Sequence, residues 1–298
     1  MREIRIPAFA KVNLRLDILG KRPDTYHELR TIFQTISLHD ELRLRASKTS
    51  EICLTIQGNE SLSLEPVRKN LVYAAVDALR RDLHIRSGVE IDLRKTIPAG
   101  RGLGGGSSDA AAALRGYLRL TRRAIPAPRL MEIAASLGAD VPFFLFGGRA
   151  LGIGRGDEIY PLPDIPKLTL LVVSPKNIHV PTPDAYRWLQ APALTKARAT
   201  PKLWKFCALC WSVQESGLSN DFERPVFQRH PRLAQIKRAL LQRGAAEASL
   251  AGSGSAVFGV FPSPALARRA AVRFQDEHTF VCETISRDRY LRKVQGAP

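Results

Sequence analysis

From Val89 to Arg94 the chain reads Val, Glu, Ile, Asp, Leu, Arg. Apolar and polar positions alternate with a period of two, which predicts a strand with one buried and one wet face. Over 70–83 ("NLVYAAVDALRRDL") the period changes, and Leu71, Ala74, Ala75, Ala78 and Leu79 fall on one side of a helix. Helices are also predicted over 129–137, stopped by Gly138, and over 231–243, opened by Pro231 and ended at Gly244, the usual placing of proline and glycine at helix ends. "KLTLLVVSP" (167–175) reads as a buried strand and "SLAGSGSAVFGVF" (249–261) as strand, glycine turn, strand. A helix from about Pro264 and a last strand over 279–285 follow. Strands mixed with helices, without strict alternation, indicate an α+β fold. The prolines of "YPLPDIPK" (160–167) mark a break, which divides the chain into 1–160 and 161–298.

One stretch has no period at all. "IPAGRGLGGGSSDAAAAL" (97–114) gives up side chains at Gly100, Gly102, Gly104, Gly105 and Gly106, then enters an alanine run that favours helix. Glycine admits positive φ and lets a ligand approach backbone N–H groups closely. With Ser107 or Ser108 as N-cap, the loop empties onto a helix N-terminus, where free N–H groups and the helix dipole favour a phosphate. A tight turn alone would need only one or two glycines. Gly100, Gly102 and Gly105 satisfy G-x-G-x-x-G, but 110–131 contains no Asp or Glu for a ribose and the strand before it is half wet. A dinucleotide-binding fold is thereby disfavoured. No Gly-Lys-Ser/Thr closes the run and no H-R-D occurs, which disfavours the Walker and protein-kinase readings.

Composition narrows the field further. The 298 residues are 45% hydrophobic and 24% charged, enough for a sizeable core. No apolar run is long enough for a membrane span or a signal segment, and four cysteines without an export signal point to reduced thiols and a cytoplasmic protein. Cys207 and Cys210 form C-x-x-C, but without a second pair they read as small apolar residues of a buried helix rather than a zinc site. The net charge of +17 raises the question of nucleic acid. Its basic clusters are scattered over the whole chain, which fits a solvated surface tuned to anionic small molecules better.

The loop and its surroundings resemble the signature of the GHMP small-molecule kinases. The resemblance extends to "PAFAKVNLRLDILGKRPDTYHELRTIFQTISLHD" near the N-terminus, "SLGADVPFFLFGGRALGIGRGD" (136–157), "IHVPTPDAYRWL" (178–189), "LSNDFERPVF" (218–227) and "ASLAGSGSAVFGVF" (248–261). These blocks follow the order of one branch, whose acceptor is a cytidine diphospho-methylerythritol. The resemblance implies a two-domain fold with the site in the cleft between domains. It also implies ATP with Mg²⁺, a small-molecule acceptor, and a monomer or homodimer.

It assigns roles residue by residue as well. Asp140, which alone would read as a loop or capping aspartate, would be the general base. Lys11, which alone would read as an edge lysine, would set its ammonium beside Asp140 and the acceptor oxygen, with Asn13 on the same strand face holding the methylerythritol portion. Tyr26, His27, Thr182 and Tyr186 would bind the cytosine end. Pro98, Ala99, Gly100, Arg101, Gly102, Leu103, Gly104, Gly105, Gly106, Ser107 and Ser108 would cradle the nucleotide, one of the two serines serving phosphate or metal. Asn70, Leu71 and Lys95 would line the adenine side, with Lys95 also placed for an anionic nucleotide. Gly252, Ser253, Gly254 and Ser255 would support the loop from the second domain. Two positions depart from the branch: Thr25 stands where glycine is usual, and Arg101 where a small residue is common.

Overall fold

The computed structural model describes residues 3–58, 66–195 and 217–295. Two sheets organise them. The first is built on a long antiparallel pair, β1 (Glu3–Lys21) and β2 (His27–Ala46). Beyond β2 lie β4 (Val89–Arg94), which pairs in parallel with β3 (Ile52–Gln57), and, further along β2, the hairpin of β5 (Arg149–Gly154) and β6 (Glu158–Pro161). The second sheet is antiparallel, in the order β11 (His278–Glu283), β7 (Thr169–Ser174), β10 (Val257–Phe261), β9 (Glu247–Leu250).

β1 explains how the two halves are joined. Ile4, Ile6 and Ala8 enter the first core, Ala10 and Val12 the layer between the sheets, and Leu16 and Ile18 the second core. Most of the strand is therefore buried on both faces, and bulges after Phe9, Asn13 and Ile18 turn its side chains from one compartment to the next. At its far end it accepts β8 (Ser219–Asn220) in parallel from the second half.

Helices α1 (Leu71–Asp82), α2 (Gly105–Thr121) and α3 (Ala127–Leu137) cover the first sheet, and the short α4 (Phe143–Phe146) closes it. In the second half, α5 (Thr182–Leu189), α6 (Glu223–Arg229), α7 (Pro231–Gln242) and α8 (Pro264–Ala271) pack around the second core. The α+β reading is borne out, as are the elements with one clean period. β4 spans 89–94 with alternating burial, and α1 forms beneath an Asn70 cap, though its buried face, Val72, Ala75, Val76 and Leu79, is turned from the expected one and leaves Leu71, Ala74 and Ala78 half-buried.

Two further features differ from expectation. A final helix, α9 (Arg287–Gln295), follows the last strand, and its Tyr290 and Val294 return to the first core. The stretch after 160 thus returns to the first half twice, through β8 on its sheet and α9 in its core. The helix after the glycine loop starts earlier than its serines: Gly104, at φ 72, is the cap, so Ser107 and Ser108 lie inside the first turn. A left-handed glycine turns the chain into the helix more sharply than a capping hydroxyl does, and leaves the first-turn amides uncapped. The C-x-x-C of Cys207 and Cys210 lies outside the described residues, and Cys53 and Cys282 are free thiols.

Candidate active site

A cleft of about 1100 Å³ runs between the two sheets, and the site residues expected from the sequence line it except Ser108, Gly254 and Ser255. Ser108 is buried with its hydroxyl unpartnered, whereas Ser107 faces the cleft. Of the two serines left open by the sequence, the fold turns only Ser107 toward the cleft.

The centre of the cleft is a charged pair set among apolar anchors. Lys11 Nζ is 3.3 Å from Asp140 Oδ2 and donates to Asn13 Oδ1 at 2.8 Å. Asn13 Nδ2 in turn donates to Thr31 Oγ1 at 2.7 Å, which donates to the Arg15 carbonyl. The Lys11 ammonium also lies over the Phe33 ring, 5.4 Å from its centroid. Lys11 is buried while the Asp140 side chain keeps 32% of its surface, so the carboxylate opens to the cleft and the lysine backs it. The apolar residues around Asp140 are its mounting. Val141, Phe143 and Phe144 are fully buried, and Phe143 stacks on Phe33 at 4.8 Å. Tyr290 of α9 donates its hydroxyl to the Phe144 carbonyl at 2.5 Å, so the C-terminal helix holds this turn in place.

The glycine loop reaches the same point. Leu103 offers its carbonyl to the Lys11 amide at 3.0 Å, bonding loop to strand directly. Gly102, at φ +77, packs against the second half so closely that a Cβ would stand 1.9 Å from the Ala251 carbonyl oxygen. Arg101 donates to Ser255 Oγ at 2.9 Å and to the Lys176 carbonyl at 3.0 Å. Its charge is thus spent across the domain boundary, where the glycine turn 252–255 supports the loop. Past Gly104 the first amides of α2 point, uncapped, from a helix N-terminus, the arrangement that binds anions.

At the other end of the cleft the His27 and Tyr186 rings stack at 4.5 Å and 23°, and Phe222 meets Tyr186 edge-on at 4.9 Å. Tyr26 is exposed, with the Arg155 guanidinium 5.0 Å from its ring. Thr182 and Ser253 share a hydroxyl hydrogen bond of 3.0 Å. Burial, reinforced by the charge of Lys21, holds the His27 imidazole below its ordinary value. Burial and the nearby Asp140 charge raise the Tyr186 phenol. Both rings are therefore neutral at physiological pH and suited to stacking on an uncharged base.

Lys95 lines the cleft, and it is already paired. Its ammonium bonds Asp109 Oδ2 at 2.6 Å and also Asp40 Oδ2, both buried. Burial alone would depress the lysine, but the two carboxylates outweigh it and raise its pKa, while burial pushes Asp109 up to about 8. The lysine's charge is matched before any nucleotide arrives. The sequence reading also passed over Lys21, Lys69 and Arg155, all of which line the cleft. Lys69 immediately precedes the Asn70 cap, and Arg155 lies inside a recognised block, so their neighbourhood was the available signal.

With this geometry in view, the chain can be set beside known proteins. The profile for the GHMP kinases N terminal domain matches residues 70–148, and that for GHMP kinases C terminal matches 211–278. A protein of Solibacter usitatus named 4-diphosphocytidyl-2-C-methyl-D-erythritol kinase is 44% identical over 97% of this chain and 91% of its own length. A namesake from Citrifermentans bemidjiense is 42% identical over 91% of this chain and 94% of its own. A solved 4-(cytidine 5'-diphospho)-2C-methyl-D-erythritol kinase superposes with a TM-score of 0.76 at 34% identity, covering 94% of this chain and 99% of that one. A homoserine kinase from Cytophaga hutchinsonii, 21% identical, shares the fold with a TM-score of 0.75 over 96% of this chain and 95% of its own.

Proposed function

The chain belongs to the GHMP kinases and, within them, to the 4-diphosphocytidyl-2-C-methyl-D-erythritol kinases. From that membership we propose that it transfers the γ-phosphoryl group of ATP to the 2-hydroxyl of 4-diphosphocytidyl-2-C-methyl-D-erythritol in non-mevalonate isoprenoid synthesis. The observation that carries this reading is the shared cleft: the Lys11–Asp140 pair lies between an uncapped glycine loop on one side and the His27–Tyr186 rings on the other. A phosphoryl donor, a hydroxyl acceptor and a base-bearing tail each find their own chemistry there.

The roles follow from placement. The amides at the start of α2 receive the phosphates, and Asn70 and Leu71 border the adenine side. His27 and Tyr186 take the cytosine, with Tyr26 and Thr182 at its margin. Asn13, fixed by Lys11 and Thr31, offers its remaining amide hydrogen to the methylerythritol portion. The acceptor oxygen attacks phosphorus directly as the bond from phosphorus to ADP breaks, and the hydroxyl proton passes to Asp140. The Lys11 ammonium beside Asp140 stabilises the developing alkoxide. No covalent phosphoenzyme is needed.

No cluster of three or more acidic, histidine or cysteine ligands occurs among the described residues. That suits Mg²⁺, which draws most of its ligands from phosphates and water rather than from a protein cage. Ser107 is the hydroxyl placed to join it, and the ion would neutralise charge on the triphosphate. No described helix is long and apolar enough to cross a membrane. The protein would work in the cytoplasm, where Cys53 and Cys282 stay reduced.

An ADP-release assay over a panel of acceptors tests the reading. Turnover is expected with the cytidine diphospho-sugar alcohol and little with homoserine, galactose or mevalonate. Turnover of homoserine with none of the cytidine compound would move the chain to another branch.

A further inference from the structure

The Asp40–Lys95–Asp109 cluster has no part in the chemistry above, yet three ionisable groups are buried together beneath the glycine loop. Burying charges is costly unless they are paired and their hydrogen bonds met. Here they are arranged around the two ends of the loop. Asp40 Oδ1 accepts from the Thr96 amide at 2.5 Å and the Ile97 amide at 2.8 Å, where the chain leaves β4 and enters the loop. Asp40 Oδ2 meets the Lys95 ammonium, which bonds Asp109 Oδ2 at 2.6 Å, one turn into α2, where the loop ends. Between these points lie five glycines, of which Gly100, Gly102 and Gly104 hold positive φ of 65°, 77° and 72°. Such a segment has much conformational freedom to lose, and its ends must be held if it is to keep one shape.

Asp40 also ties the loop to the strand that carries Lys11. It stands opposite Ala8 in the β1–β2 ladder, and Lys11 stands opposite Thr35 a few positions along the same ladder. We propose that Asp40 is a positioning residue for the nucleotide. It fastens the start of the loop through two amides and the end through the shared Lys95, and so registers the donor phosphates against Lys11 on the neighbouring strand. The inference rests on the nucleotide reading of the loop. It assigns Lys95 to the loop's frame, since its ammonium already bonds two buried carboxyl groups.

The test compares two probes by calorimetry, ADP for the donor side and cytidine diphosphate for the acceptor side. Asp40→Asn keeps the size and an amide-accepting oxygen but removes the charge that holds Lys95. A hydrogen bond to a charged group lost from such a frame corresponds to about a tenfold or greater loss of ADP affinity. Cytidine diphosphate should bind within about twofold of wild type, and the steady-state loss should fall on KM for ATP more than on kcat. Unchanged ADP affinity in a folded Asp40→Asn protein would overturn the proposal. So would an equal loss of both probes together with a lowered melting temperature, since that pattern marks general damage.

If Asp40→Asn does not fold, Asp109→Asn releases only the far end of the loop. It should weaken ADP alone, and unchanged ADP affinity there would equally sink the idea. If wild type binds ADP but not cytidine diphosphate, the acceptor assignment fails while the ADP comparison still decides the role of Asp40.

Discussion

Lys11 Nζ stands 3.3 Å from Asp140 Oδ2, the lysine on β1 and the aspartate in the turn between α3 and α4. The pair unites two segments that have no local reason to meet, and only the lysine is fully buried. If Asp140 accepts the hydroxyl proton, Asp140→Asn keeps shape and hydrogen bonding but removes the basic site. A positioned general base contributes roughly 10² to 10⁴ in rate, so kcat should fall by about that factor. Binding of both substrates should change far less. Lys11→Met should also lower kcat, and the double variant should lose less than the product of the two, because the residues act as a unit. An Asp140→Asn enzyme within a few-fold of wild type would remove Asp140 as the base and leave it only an orienting part.

Gly102 tests the loop from its other side. A methyl group there would meet the Ala251 carbonyl oxygen at 1.9 Å, on a backbone held at φ +77. Neither the strain nor the clash can be relieved without moving the loop off the second domain. Gly102→Ala should therefore raise KM for ATP by an order of magnitude or more while circular dichroism stays native. Normal ATP kinetics in that folded variant would place the nucleotide elsewhere.

What was legible in the sequence follows from burial. β4 and α1 each bury one face, so their periods survive in the residue pattern. β1 is buried on both faces along most of its length, and its bulges shift the register, which erases any alternation. α9 shows no apolar period because only Tyr290 and Val294 are buried among charged neighbours. In the site, local motifs were visible and long-range partners were not. Lys95 beside a phosphate loop suggests a phosphate ligand, yet its carboxylates lie 55 residues away on β2 and 14 residues on along α2. The helix cap was misplaced because a left-handed glycine, rather than a serine hydroxyl, starts α2.

The His27–Tyr186 stack carries a prediction about the acceptor. The rings lie 4.5 Å apart, too close for a base to sit between them, so the cytosine stacks on the pair or parts it. In either case the ring matters more than the phenol. Tyr186→Phe should keep KM for the cytidine substrate within about twofold. Tyr186→Leu removes a base–aromatic contact worth roughly 1–3 kcal/mol, which raises that KM by about 5- to 150-fold. KM for ATP serves as the internal control. Equal effects on both substrates, or none on either, would detach Tyr186 from the cytosine.

His27 should also leave a signature in pH. Burial and Lys21 depress its pKa, so the folded protein binds fewer protons there than the unfolded chain. The stability it confers is complete above the ordinary histidine value of about 6.5 and is lost as pH falls below it. Melting temperatures measured at about pH 5.5 and pH 7.5 should therefore diverge more in wild type than in His27→Gln. An identical acid slope in both proteins would show that the imidazole is not held neutral by the fold.

Thr25 offers the last test, because it is a β-branched residue at φ 70 directly ahead of Tyr26 and His27. Side chains branched at Cβ are true outliers in that region, and such strain costs about 1–3 kcal/mol. The turn is held by the Thr25 amide donating to the Arg22 carbonyl at 3.2 Å and the Arg22 amide donating to the Tyr26 carbonyl at 2.7 Å, neither of which needs the threonine side chain. Thr25→Gly keeps both bonds and removes the strain, against a loss of roughly 0.5–1 kcal/mol for the added freedom of the unfolded chain. The balance favours the glycine by on the order of 1 kcal/mol, or about 2–4 °C in melting temperature for a chain of this size. If the strain also sets how Tyr26 and His27 face the cleft, KM for the cytidine substrate should rise in the more stable variant. An unchanged KM would make the threonine a tolerated defect, and a lower melting temperature would mean that its side chain holds the turn after all.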